Sequence, residues 1–152
     1  MIWILLAAAL TAADLYIKTR VRKGPSGIKR DLFGGRLEFR RVFNKGLVGS
    51  RFAENEKAVR CVSAAGAILL AVCFGTALFS QKSGPAEKAG MSILAGGAAG
   101  NLIERFRYGK VTDYLRIRTE RKAGRLIFNL ADLMIAAGGL IAVIAALIER
   151  TE

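Results

Sequence analysis

Apolar residues dominate four stretches of the chain, and charged residues are nearly confined to the connections between them. Residues 61–80 carry no charged side chain, residues 89–103 none, residues 1–17 only Asp14, and residues 126–148 only Asp132. A helix rises about 1.5 Å per residue, so about 20 residues cross the roughly 30 Å hydrocarbon core of a bilayer. The pattern therefore predicts four membrane helices, over about 1–17, 58–80, 88–106 and 126–149. Between the first two, Arg36-Leu37-Glu38-Phe39-Arg40-Arg41-Val42-Phe43 alternates polar and apolar, which is strand periodicity. Gly24-Pro25-Ser26-Gly27 and Gly84-Pro85 carry turn chemistry. The expected fold is an all-α membrane protein with four transmembrane helices and a small β-sheet inserted between helices 1 and 2, one domain over residues 1–152.

Composition narrows the chemistry. The 152 residues include 24 Lys+Arg against 12 Asp+Glu, and no His. Without His, Ser/His/Asp and Cys/His nucleophilic sites and His-ligated metal sites are excluded. Cys61 and Cys73 sit in one apolar run and are poorly spaced for a disulfide. Acid–base work falls to Asp, Glu, Lys or Tyr, and no metal or other cofactor is expected. The N-terminal apolar run lacks a preceding positive segment and continues through Ile17, so it reads as a retained helix rather than a cleaved signal. Residues 18–60 hold 13 Lys/Arg and residues 104–125 hold 8. The tendency of such residues to lie on the cytoplasmic side would put both connections inside, although that statistic fades for long loops.

Several polar groups stand out against this background. Asp14 and Lys18 are spaced i,i+4 at the end of helix 1, the favourable order for a salt bridge. Asp132 lies inside helix 4, where an ionisable side chain is costly and by default marks a functional site. Asn129, three residues earlier, is expected on the same helical face. Asp113 lies just beyond helix 3, in the connection that leads to helix 4. Two carboxylates held about 3 Å apart cannot both ionise and share a proton, so one can act as base towards water while the other donates to a carbonyl oxygen. Gly96, Gly97, Gly100, Gly138 and Gly139 would let helix backbones approach closely. Asn101 and Arg105 share one face of helix 3, with Glu104 beside them.

Three blocks then carry a resemblance. Gly96-Gly97-Ala98-Ala99-Gly100-Asn101-Leu102-Ile103-Glu104-Arg105, Gly109-Lys110-Val111-Thr112-Asp113-Tyr114 and Phe128-Asn129-Leu130-Ala131-Asp132 closely resemble the prolipoprotein signal peptidases, the signal peptidase II family. Asp14-xxx-Lys18 and Asn44-x-Gly46 match its two upstream motifs in order. The resemblance implies a four-helix aspartic endopeptidase of the bacterial plasma membrane, whose extracytoplasmic sheet cradles the substrate. Such an enzyme cuts prolipoproteins just before a diacylglyceryl-modified cysteine. It implies that Asp113 and Asp132 are the catalytic pair, that Asn44, Gly46, Asn101, Arg105 and Asn129 support them or bind substrate, and that Asp14 and Lys18 are structural. The loops 18–57 and 107–125 would then be extracytoplasmic, opposite to the charge count.

The chain departs from the family pattern at three places. Glu104 stands where Asp is usual, lengthening an arm expected to pair with Arg105; Leu47-Val48-Gly49-Ser50 replaces Ala-Ala-Phe-Ser; and Leu133 replaces a small polar residue. The expected partners are lipid-modified prolipoproteins and membrane lipids, without nucleic acid, and the chain is expected to act as a monomer. Two other readings remain open at this point: a re-purposed or inactive relative, and a small four-helix transporter using Asp132 as an ion site.

Overall fold

The computed structural model describes residues 1–25, 27, 29–47, 52–118 and 126–149. The chain runs α1 (Ile2–Lys23), β1 (Lys29–Leu32), β2 (Leu37–Asn44), α2 (Glu56–Phe79), α3 (Pro85–Tyr108), β3 (Val111–Ile117), β4 (Ile127–Phe128) and α4 (Leu130–Glu149). Among the described residues, three helices are long and apolar enough to cross a membrane: α1, α2, and α4 over Leu130–Ile148. Large apolar side chains such as Ile68, Leu69, Val72, Leu140, Val143 and Leu147 are exposed on α2 and α4. Displayed to water they would form an aggregating surface; displayed to lipid they carry no such penalty.

Two compact units make up the chain. The first comprises Met1–Asp14, Ser63–Leu102 and Leu130–Glu152; the second comprises Leu15–Val62 and Ile103–Asn129. In the helical unit, α3 is closely met by two other helices. A Cβ on Gly96 would meet Ala7 O at 3.0 Å on α1, and a Cβ on Gly97 would meet Ala131 O at 2.6 Å on α4. Gly90 and Gly138 face each other's helices in the same way, at 2.5 Å from Ala142 N and Leu94 N. Thr11 Oγ1 lies 2.9 Å from Ala7 O and 3.1 Å from Gly96 O, tying α1 to α3. Helix α3 falls short of a span's apolarity because its small residues and Asn101 are directed at neighbouring helices rather than at lipid. Ala77, Met91 and Ala142 form a buried cluster, flanked by Leu70, Phe74 and Leu94.

The second unit holds one antiparallel sheet in the order β1-β2-β3-β4. Strand β1 meets β2 through a turn at Phe33–Arg36, with positive φ at Phe33, Gly34 and Gly35. Strand β2 continues to β3 with Val42 opposite Asp113 and Asn44 opposite Val111, and an irregularity between Phe39 and Val42. Beside that irregularity, Arg41 Nη1 donates to Arg22 O and Gly24 O, both at 2.7 Å, and so caps the carbonyl end of α1. The sheet is larger than the sequence pattern indicates. Its strands β3 and β4 come from the second polar connection, where Val111–Tyr114 are buried in succession and carry no alternation.

Helix boundaries follow local chemistry. Helix α1 runs six residues past Ile17, because Arg20, Arg22 and Lys23 in its last turn suit the negative end of the helix dipole. Helix α2 starts one residue after Asn55, whose Oδ1 accepts from Ala58 N at 2.9 Å as an N-cap. Helix α3 begins on Pro85 and ends before Gly109, which takes φ 68° and donates to Arg105 O at 2.9 Å. Helix α4 starts at Leu130, since 127–128 are drawn into the sheet as β4.

Candidate functional site

Asp132 stands in the first turn of α4, in the helical unit, and is partly buried. Asn101 Nδ2, on α3, donates to its Oδ1 at 2.9 Å. The approach of α3 that makes this bond feasible depends on Gly97 and Gly100. A Cβ on Gly100 would collide with Asp14 Oδ2. Asp14 is fully buried, and its Oδ1 accepts from Ala131 N at 3.1 Å. It therefore caps the N-terminus of α4 from α1, a role that spacing to Lys18 does not suggest. A carboxylate there satisfies an orphan backbone donor and complements the positive end of the dipole, one residue before Asp132. Lys18 is fully buried too, four residues on along α1.

Asp113 belongs to the sheet unit. It lies within β3 rather than in an open loop and is 4% exposed. Asn129 Nδ2 donates to Asp113 Oδ1 at 2.7 Å, in a buried setting. This corrects the expectation that Asn129 shares a helical face with Asp132: α4 begins one residue later, at Leu130. The two carboxylates thus each receive an asparagine amide, Asp132 from Asn101 and Asp113 from Asn129.

The remaining candidates also fall in the sheet unit. Asn44 Oδ1 accepts from Gly46 N at 2.9 Å, closing an Asx turn at the end of β2. That turn presents Gly46 O to Arg105 Nη2 at 2.8 Å. Asn44, Gly46 and Arg105 are therefore one connected group, with the Arg105 guanidinium anchored on backbone. Adjacency predicts a Glu104–Arg105 pair, but Glu104 is met from elsewhere. It is 2% exposed, accepts from Thr112 N at 2.7 Å and Thr112 Oγ1 at 3.0 Å, and pairs with Arg22. Consecutive residues on a helix point about 100° apart, so Glu104 and Arg105 reach different neighbours.

Sequence reasoning missed Arg22, Tyr108, Thr112 and Gly90. Thr112 had a signal, its place directly before Asp113; Arg22 was one basic residue among many. Of the segment 47–50, positions 48–50 lie outside the described residues, as do Ser26 and positions 119–125.

Comparison with known proteins agrees with the motif reading. The profile of the family described as Signal peptidase (SPase) II matches residues 6–148. A lipoprotein signal peptidase of Mesorhizobium japonicum is 34% identical over 145 residues, covering 95% of this chain and 84% of that one. One from a Synechococcus species is 30% identical over 154 residues, covering 97% and 96% respectively. A bacterial membrane enzyme solved by the in meso method at 2.3 Å superposes with a TM-score of 0.80 at 20% identity, over 97% of this chain and 88% of that one. That likeness concerns the fold. With the family profile spanning nearly the whole chain and its motifs in place, the protein belongs to the signal peptidase II family, whose members are membrane proteases.

Proposed function

We propose that this chain removes the signal peptide of lipid-modified prolipoproteins by direct attack of water, with Asp113 and Asp132 as the reacting pair. One carboxylate, ionised, takes a proton from water as the oxygen attacks the scissile carbonyl carbon. The other, protonated, donates to the carbonyl oxygen; as the C–N bond breaks, the proton taken from water passes to the departing amine, and the gem-diol returns one proton to the second carboxylate as the C=O bond re-forms. The scheme forms no acyl-enzyme and draws on no cofactor. The observation that supports it most is that both carboxylates are buried or half-buried and held by a neutral amide. Each amide fixes a carboxylate's orientation without neutralising it, as an acid–base group requires.

Purified protein in detergent or lipid, incubated with a diacylglyceryl-modified prolipoprotein, should release the signal peptide as a size shift on a gel. The unlipidated precursor should stay intact, and EDTA should leave the rate unchanged. Absence of cleavage, or equal cleavage of both precursors, overturns the reading.

The same reading places the sheet unit and its basic residues outside the cell, with the short 80–84 connection inside, and gives membrane lipids as neighbours of a monomeric enzyme. Lys82 lies in that short connection and Lys88 in the first turn of α3, where charge orients helices most effectively. In a variant lacking Cys61 and Cys73, a cysteine at Gly34, exposed in the β1–β2 turn, should label with a membrane-impermeant reagent in intact cells. A cysteine at Gln81, exposed between α2 and α3, should not. The reverse pattern rules out processing of exported precursors.

A further inference from the structure

We infer that Arg22 is a positioning residue for Asp113, acting through Glu104 and Thr112; this rests on the reading of Asp113 as a reacting carboxylate. The starting point is a problem in the sheet. Among the described residues, strand β4 pairs with Leu115 and Arg116 of β3, so that ladder ends before Thr112. Thr112 is fully buried, and a buried N–H without an acceptor is costly. Glu104 Oε2 fills that place from the last turns of α3, accepting Thr112 N at 2.7 Å, while Oε1 accepts Thr112 Oγ1 at 3.0 Å. A side chain thus stands in for the missing strand at the residue immediately before Asp113.

A carboxylate only 2% exposed holds that position as an anion only with a counter-charge beside it. Arg22, in the last turn of α1, supplies it. Its Nη2 donates to Glu104 Oε1 and lies 3.1 Å from Thr112 Oγ1. Its guanidinium carbon sits 3.5 Å from the centroid of the Tyr108 ring, which restricts the plane of the fork. The α1 end, the α3 end and the start of β3 therefore meet at Arg22. Asn129 separately holds Asp113 Oδ1. Backbone and carboxylate are located by different bonds, so loss of the Arg22 clamp shifts the strand while the amide contact persists.

The two oxygens of Glu104 thus serve the backbone N–H, the hydroxyl and the guanidinium at once.

Arg22→Met, Glu104→Gln and the double variant, made in the full-length protein beside Asp113→Asn, test the proposal. Initial rates of prolipoprotein cleavage are measured per folded molecule over a range of substrate, together with thermal midpoints in detergent. Arg22→Met should lower kcat roughly 10- to 100-fold, because small displacements of a reacting group have effects of that order, with KM changed less than about threefold. In the double variant the amide oxygen introduced at position 104 would still accept the Thr112 N–H, and no charge is left unpaired. Its kcat should therefore recover at least about fivefold over Arg22→Met. Unchanged kcat in Arg22→Met, a loss carried by KM, or a double variant no better than the single each overturns the proposal. If Arg22→Met does not fold, Arg22→Lys keeps the charge without the fork, and kcat must still fall; wild-type kcat there overturns it. An active Asp113→Asn refutes the reading of Asp113 itself, whereas an inactive Asp113→Asn beside a fully active Arg22→Met refutes the positioning alone.

Discussion

Asp113→Asn and Asp132→Asn are each expected to lower prolipoprotein cleavage by roughly 10²- to 10⁴-fold, the range spanned by loss of a positioned acid or base. The substitution is nearly isosteric, and the side-chain oxygen can go on accepting from Asn129 at position 113 or Asn101 at position 132. Folding should therefore be retained, and a thermal midpoint within about 2 °C of wild type would show that. The loss should fall on kcat, because an amide can neither take a proton from water nor carry one to the carbonyl oxygen. Binding of the lipidated precursor, measured by co-purification, should persist. Substantial turnover by either variant would remove that residue from the chemistry. Removal of the supporting amides, Asn101→Ala or Asn129→Ala, should cost less, since the carboxylate remains and only its orientation is released.

Gly138→Ala is expected to destabilise the protein by about 1–3 kcal/mol or more, while Gly139→Ala is expected to be neutral or slightly stabilising. The added Cβ at 138 would lie 2.5 Å from Leu94 N, 2.7 Å from Gly90 O and 3.0 Å from Leu94 Cα. All three are backbone atoms of α3, so no rotamer change relieves the clash and the helices must separate. At 139 the nearest atom is Leu94 Cδ1 at 3.8 Å, an ordinary contact with a movable side chain. The same substitution on neighbouring residues of one helix thus has opposite expected effects. Thermal unfolding in detergent, with yield of folded protein as a second reading, separates them. Separating α3 from α4 also stretches the Asn101–Asp132 bond, so Gly138→Ala should lose activity beyond its loss of folded protein. Equal behaviour of the two variants would mean that the close seam is not what holds these helices.

The main features of the chain are legible along it because they rest on local chemistry. The uncharged stretches require membrane helices, and the absence of His leaves carboxylates as the only economical acid–base pair. On that ground Asp113 and Asp132 become the candidate pair, while the alternation at 36–43 gives the small sheet; the family assignment agrees with a membrane protease. The transporter and re-purposed-relative readings have no observation in their favour. Long-range partners are what the chain does not announce. Helical spacing assigns Asn129 to Asp132, but drawing of Ile127 and Phe128 into the sheet delays α4 and aims the amide at Asp113. Adjacency assigns Glu104 to Arg105, yet its carboxylate is met by Arg22, 82 residues earlier.

By itself, then, the order of residues determined the medium, the helix count and the candidate chemistry, because hydropathy runs, the missing imidazole and the motif spacing are properties of neighbours along the chain. Only the tertiary structure decided which helix needs protein rather than lipid around it, that Asp14 caps α4, and that the second connection completes the sheet. The physical reason is the cost of buried polar groups. Each orphan donor and each desolvated carboxylate must find a partner. In this chain the partners that satisfy them, Asp14 for Ala131, Arg22 for Glu104 and Asn129 for Asp113, lie 16 to 117 residues away, beyond the reach of any local pattern.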